Sequence, residues 1–196
     1  MTAPLRNAFL ALISLAANSQ QAGDRFAHLG RFRLEEVSLE DIQKILGPSP
    51  LIEKGGEGDY EANIIYRARG GFVTFREGYM GAGFAISTHL KDVSEASVPT
   101  PKAPLPVSVA GLYLGMTRKE FEYVITKKVE WSGNVGKVIF EWKVQLTQSD
   151  INRMEMAKEE LKRSGGPLFF DVLVFVDGTF QGNRLEAFRV WKVTSF

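Results

Sequence analysis

The sequence predicts an α+β fold: two tandem helix-plus-antiparallel-meander repeats forming one continuous sheet, with helices packed on one face. Three observations carry this. A short amphipathic helix pattern occurs twice, strand patterns follow each helix in the same order, and strands outnumber helices and end on hairpin signals. Each copy alone is small for an independent core, so a shared sheet is expected.

The elements follow in chain order. In residues 1–19, Ala8–Ala16 (AFLALISLA) is an apolar run behind Arg6, and Ala17 and Ser19 fit the small-residue pattern of a secretory cleavage site. The run is too short for a bilayer, which takes about 20 residues. The segment reads as a signal peptide, with an N-terminal helix docked on the core as the other reading. Cleavage would place the protein in the periplasm or outside the cell.

The first copy, 20–98, has an extended stretch from Gly30, then residues 38–46 (SLEDIQKIL). The second, 107–196, has an extended stretch from Gly111, then residues 117–125 (TRKEFEYVI). Both helices open with a hydroxyl N-cap and an acid three residues on, Ser38 with Asp41 and Thr117 with Glu120. Ile42, Ile45 and Leu46, and likewise Phe121, Val124 and Ile125, form one buried stripe. Strands at 64–69, 72–78 and 84–90 match strands at 138–143, 172–178 and 185–193. Glu77-Gly78 and Asp177-Gly178 read as strand ends.

The correspondence shifts from 74 residues (64 to 138) to 100 (72 to 172), so the second copy holds a 26-residue insertion. There, Ser149–Arg163 is rich in Met, Glu, Lys and Ala and stops at Ser164-Gly165-Gly166-Pro167. It predicts an inserted helix within 149–164 that buries Ile151, Met154 and Leu161. Between the copies lies a stiff linker, 99–106, within a stretch (SVPTPKAPLP) holding four of the eight prolines.

The Gly111-Leu112-Tyr113-Leu114-Gly115-Met116-Thr117-Arg118-Lys119-Glu120 opening and the strand–Asp177-Gly178–strand ending resemble the SmpA/OmlA-like (BamE-like) domains of the bacterial envelope. The tandem arrangement over residues 30–193 is similar to that of the beta-lactamase inhibitory proteins. The resemblance implies an antiparallel sheet with a concave face that binds proteins, and an envelope location. The acylated cysteine of the lipoproteins and the cysteine pairs of the inhibitors are both missing, so it implies neither lipid anchor nor partner.

Composition narrows the chemistry. The chain has 196 residues, 44% hydrophobic and 24% charged, which is a folded balance. With 24 Lys and Arg against 23 Asp and Glu, it lacks the basic excess of a nucleic-acid binder. Residues 20–98 carry 9 basic and 12 acidic side chains, and residues 99–196 carry 14 and 11. This mild polarity would steer a partner or favour head-to-tail contacts. The absence of cysteine excludes disulfides, thiol catalysis, zinc–thiolate sites and iron–sulfur clusters.

His28 and His89 lie far apart and read as packing or surface residues. No Gly-x-Ser-x-Gly elbow, His-x-x-x-His pair or calcium loop occurs. Glu35-Glu36 and Glu159-Glu160 read as solvated charges. Gly55-Gly56-Glu57-Gly58, Gly70-Gly71 and Gly78–Gly83 read as turns, since none opens a helix with a phosphate-binding lysine. No catalytic, cofactor or metal residue is therefore assigned.

What remains is a surface. Alternation puts Val138, Phe140, Trp142, Val144 and Leu146 on one face and Ile139, Glu141, Lys143 and Gln145 on the other. Phe188 and Val190 alternate with Arg189 and Trp191, and the strand at 169–176 is apolar on both faces. A sheet covered by helices on one side has no ordinary reason to be apolar on the other. Either that face binds a protein, or the inserted helix, the N-terminal segment or the linker covers it. Arg67, Phe72, Glu141, Lys143, Arg189 and Trp191 are the candidate protein-binding side chains. The expected function is a non-enzymatic exported module that binds another envelope protein, as assembly factor or inhibitor. The alternative is a small-ligand pocket between the sheet and the inserted helix.

Overall fold

The computed structural model describes residues 20–56, 59–79 and 81–196. The signal-peptide reading of 1–19, and Glu57, Gly58 and Met80 of the glycine-rich turns, lie outside the described residues. The first copy contains β1 (His28–Leu29), β2 (Phe32–Arg33), α1 (Leu39–Leu46), β3 (Ile52–Lys54), β4 (Glu61–Ala68), β5 (Gly71–Gly78) and β6 (Gly81–Ser87). The second repeats the series with β7 (Ser108–Val109), β8 (Leu112–Tyr113), α2 (Arg118–Ile125), β9 (Glu130–Ser132) and β10 (Val135–Gln145). It adds α3 (Gln148–Arg153) and α4 (Glu155–Ser164), then closes with β11 (Phe169–Gln181) and β12 (Arg184–Ser195).

The described strands form one eight-stranded antiparallel sheet in the order β3-β4-β5-β6-β12-β11-β10-β9, plus the small hairpins β1-β2 and β7-β8. The ladders align the copies. Ile64 pairs with Phe75 and Phe75 with Phe84; Val138 pairs with Val176 and Val176 with Val190. Phe84 then pairs with Val190 across the seam. Counterpart residues thus face each other, and a local two-fold axis passes between them.

This alignment corrects the repeat by one residue. Phe75 answers to Val176, not Phe175, and the insertion is one residue longer. Gly78 does end β5, but Gly178 lies inside β11, where a Cβ would come within 2.8 Å of the Phe121 ring. The strand runs on to a turn containing Gly182, whose φ is +60°. Packing of Phe121, not turn formation, accounts for the second glycine.

The helices start as their caps require. Ser38 Oγ accepts the Asp41 N–H at α1, and Thr117 and Glu120 form a full capping box at α2. The Thr117 amide holds the Glu120 carboxyl below the usual carboxylate range. The inserted segment is two helices, broken at Met154 (φ −113°, ψ 112°). Ile151 and Ala157 bury together against Leu146 and Leu168, with Met154 and Leu161 packed beside them. Six residues apart, Ile151 and Ala157 would point about 120° apart on one straight helix. The break brings them to one surface.

The core fills the space between the sheet and α1, α2, both hairpins and a helical turn at 20–24. Phe26 stacks on Phe140 at 5.3 Å, and Phe121 meets Phe180 edge-on at 5.6 Å. Gly23 permits the helical turn to lie on Trp142, where a Cβ would be 2.5 Å from the ring. Glu35 is not a solvated charge. At φ +67°, it reaches Thr194 (N 3.0 Å, Oγ1 2.6 Å) and Lys192 Nζ (3.2 Å) on β12. It clamps the first copy's hairpin to the second copy's last strand. Glu36 pairs with Arg33 at 2.7 Å and Glu160 with Arg163 at 2.6 Å.

Candidate protein-binding face

Side chains alternate across a strand, so the ladders also fix the face opposite the core. One row across the sheet runs Asn63, Arg76, Gly83, Trp191, Phe175, Ile139. A second runs Ile65, Thr74, Ala85, Arg189, Asp177, Lys137. Beside Phe175, Val193 pairs with Leu173 and Leu173 with Glu141. Further along, Asp171 pairs with Lys143 in the ladder, and their charges meet at 3.3 Å. The second copy therefore presents Ile139, Leu173, Phe175, Trp191 and Val193 as one apolar cluster. Ile139 is 45% exposed and the other four are half-buried.

Local structure aims these groups. Trp191 lies flat over Gly83, where a Cβ would stand 2.4 Å from its ring. Small Gly83 and Ala85 on β6 thus oppose Trp191 and Arg189 on β12. Ile139, Phe175, Trp191 and Val193 of this cluster floor a trough of about 730 Å³ whose walls include Glu61 and Arg76 on one side and Lys127, Lys128 and Glu141 on the other. A second hollow of about 500 Å³ continues it over Ala85 and Ala187, lined by Arg76, Lys91, Lys137, Asp177 and Arg189. Arg189 pairs with Asp177, Arg76 approaches Glu61 at 3.6 Å, and Lys127 Nζ donates to the Ile139 carbonyl.

The sequence-derived residues divide. Glu141, Lys143, Arg189 and Trp191 belong to this face of the second copy. Arg67 and Phe72 lie on the same side of the sheet in the first copy, and there Phe72 is not available to a partner. It is 3% exposed beneath Val98, with Ile65, Leu90 and Val93. Arg67 spans the Phe72 ring, its guanidinium donates to the Glu95 carbonyl, and its N–H donates to the Pro99 carbonyl at 2.9 Å. The chain then rounds the β4 edge to the helix face, where the Lys102 N–H bonds Leu46.

Of the three proposed covers, and among the described residues, only the approach to the proline linker lies on the outer face. The N-terminal turn packs on the core side. The inserted helices extend the core side at Leu146, Leu168 and Phe170, and line neither hollow of the trough. Val144, expected in the core, is 38% exposed, between the main core at Trp142 and the smaller cluster at Leu146. The sequence pattern alone does not single out Phe175, Leu173 and Val193. Their signal was the double-sided apolarity of β11, which needs the ladder register before a face can be assigned.

His28 sits 3.4 Å from Asp24, and His89, in the chain after β6, sits 3.3 Å from Glu95. Among the described residues, no three His, Asp or Glu side chains group as a metal site, and no helix is long and apolar enough to cross a membrane. Comparison with family models, curated proteins and solved structures finds no match.

Proposed function

We propose that the chain is a non-enzymatic, exported module that binds another protein of the cell envelope on the outer face of its second copy. The role would be that of an assembly factor or inhibitor. The observation that carries this is the apolar cluster of Ile139, Leu173, Phe175, Trp191 and Val193, which no described element covers. The core is complete on the other face, so folding does not require these side chains to be apolar. An apolar patch containing Phe175 and Trp191 and rimmed by Lys, Arg and Glu has the make-up of a protein-binding surface. The envelope part rests on the leader-like residues 1–19 and on the resemblance to envelope domains.

The test is affinity capture from envelope extract on the immobilised full chain. A specific partner should be retained by the wild type, lost with Trp191→Ala or Ile139→Glu, and weakened by Lys143→Glu. Equal capture by variants with native circular dichroism would overturn the proposal. Mass spectrometry of the native protein tests export: a start near Gln20 supports it, and an intact Met1 refutes it.

A further inference from the structure

The first copy carries an internal example of what its outer face binds. Residues 88–99 leave β6 and cross that face as an arm. Leu90, Val93 and Val98 lie against Ile65 and Phe72. Asp92 meets Lys54 at 3.4 Å, and the Glu95 carbonyl accepts from Arg67. Apolar side chains thus sit on an apolar floor with one acid, Asp92, on a lysine at its rim, while the Glu95 carboxylate turns to the arm's own Leu90 N–H and His89.

The ladder alignment makes Ile139 the counterpart of Ile65 and Leu173 the counterpart of Phe72. Ile65 is 7% exposed and Ile139 45%. Phe175 stands beside the uncovered pair where the first copy has Thr74. Lys91, Lys128 and Lys137 line this trough and show no hydrogen bond or ion pair among the described residues. Arg76 and Arg189 are engaged by Glu61 and Asp177, and Glu130 and Glu141 offset part of the lysine charge.

We propose that the second copy's outer face takes an extended segment of a partner protein, apolar side chains flanked by carboxylates. It lies across Ile139, Leu173 and Phe175 as the arm lies across Ile65 and Phe72. This rests on the protein-binding reading above and narrows the partner to a linear acidic stretch. The lysines select the carboxylates, and the apolar floor supplies the contact area.

The experiment pans a display library of random peptides, each as long as the 12-residue arm at 88–99, against the full chain. Selected peptides are then titrated by fluorescence anisotropy. They should be rich in Leu, Val, Ile or Phe together with Asp and Glu. Affinity should fall at least about tenfold with Ile139→Glu or Phe175→Ser. It should fall about threefold or more with Lys128→Glu plus Lys137→Glu. Tyr123→Ala, on the exposed side of α2, should leave it unchanged. No enrichment, enrichment of basic peptides, or binding indifferent to both Ile139→Glu and Phe175→Ser would overturn the proposal. So would self-association through this face, seen as a sedimenting dimer that Ile139→Glu dissolves. A folded envelope protein captured through Trp191 while no linear peptide binds would overturn the segment but leave the protein-binding reading standing. Loss of both would remove both.

Discussion

Ile65 and Ile139 occupy the same place in the two copies, yet one is 7% exposed and the other 45%. The difference comes from connectivity. The chain leaving β6 must travel to β7, and on the way it lays Leu90, Val93 and Val98 across the first copy's outer face. No described segment does this for the second copy. One repeat unit thus satisfies its outer face from within, and the described residues of its twin leave an equivalent face uncovered. An apolar floor that is core in one copy is left uncovered by the described residues of the other through the path of one connection.

The largest expected effect is on stability. Phe72→Ala should cost about 3 kcal/mol, because it empties a closed site, and Leu173→Ala about 1 kcal/mol, because that side chain is only half-buried. Urea denaturation measures both, and equal costs would erase the distinction between the faces. Next is the seam. Glu35→Gly relaxes a positive φ but strips Thr194 and Lys192 of their partner, a loss of about 2 kcal/mol. Its counterpart Gly115 has φ +86° and no side chain to lose, so Gly115→Ala should cost about 1 kcal/mol through backbone strain alone.

Gly83→Ala should cost roughly 1–2 kcal/mol and lift the Trp191 ring from the sheet. A red-shifted tryptophan emission would report it, and unchanged emission would refute the flat packing. The smallest effect is at the caps. The Glu120 carboxyl is held below its ordinary range by the Thr117 amide. Its contribution is therefore present above the unfolded carboxyl's pKa and lost as pH falls through the folded value. Thr117→Ala should lower the melting temperature at neutral pH and have less effect in acid. A pH-independent difference would count against the capping box.

Much of the fold was legible because its signals are local. The two helices announce themselves by cap residues and a three–four apolar spacing. The order of strands follows from runs bounded by glycine. What was not legible depends on contacts distant in sequence. Glu77-Gly78 and Asp177-Gly178 look alike, but one is a turn and the other a slot for Phe121. The resulting one-residue slip reverses which face each β11 side chain takes. Glu35 reads as a solvated charge until β12 is placed beside it. Phe72 and Trp191 are both large residues on outward-facing positions, and only the path of residues 88–99 buries one of them. The face of the second copy was legible on β10 and β12, where large and charged residues alternate, but not on β11, where both faces are apolar.

Hydroxyl-radical footprinting of the intact chain, read by mass spectrometry, tests the central claim most directly. Phe175 and Trp191 should oxidise readily while Phe72, under its arm, stays protected. Protection of Phe175 and Trp191 equal to that of Phe72, or oxidation of Phe72 at their rate, would contradict the claim that one copy's outer face is closed and the other's is open.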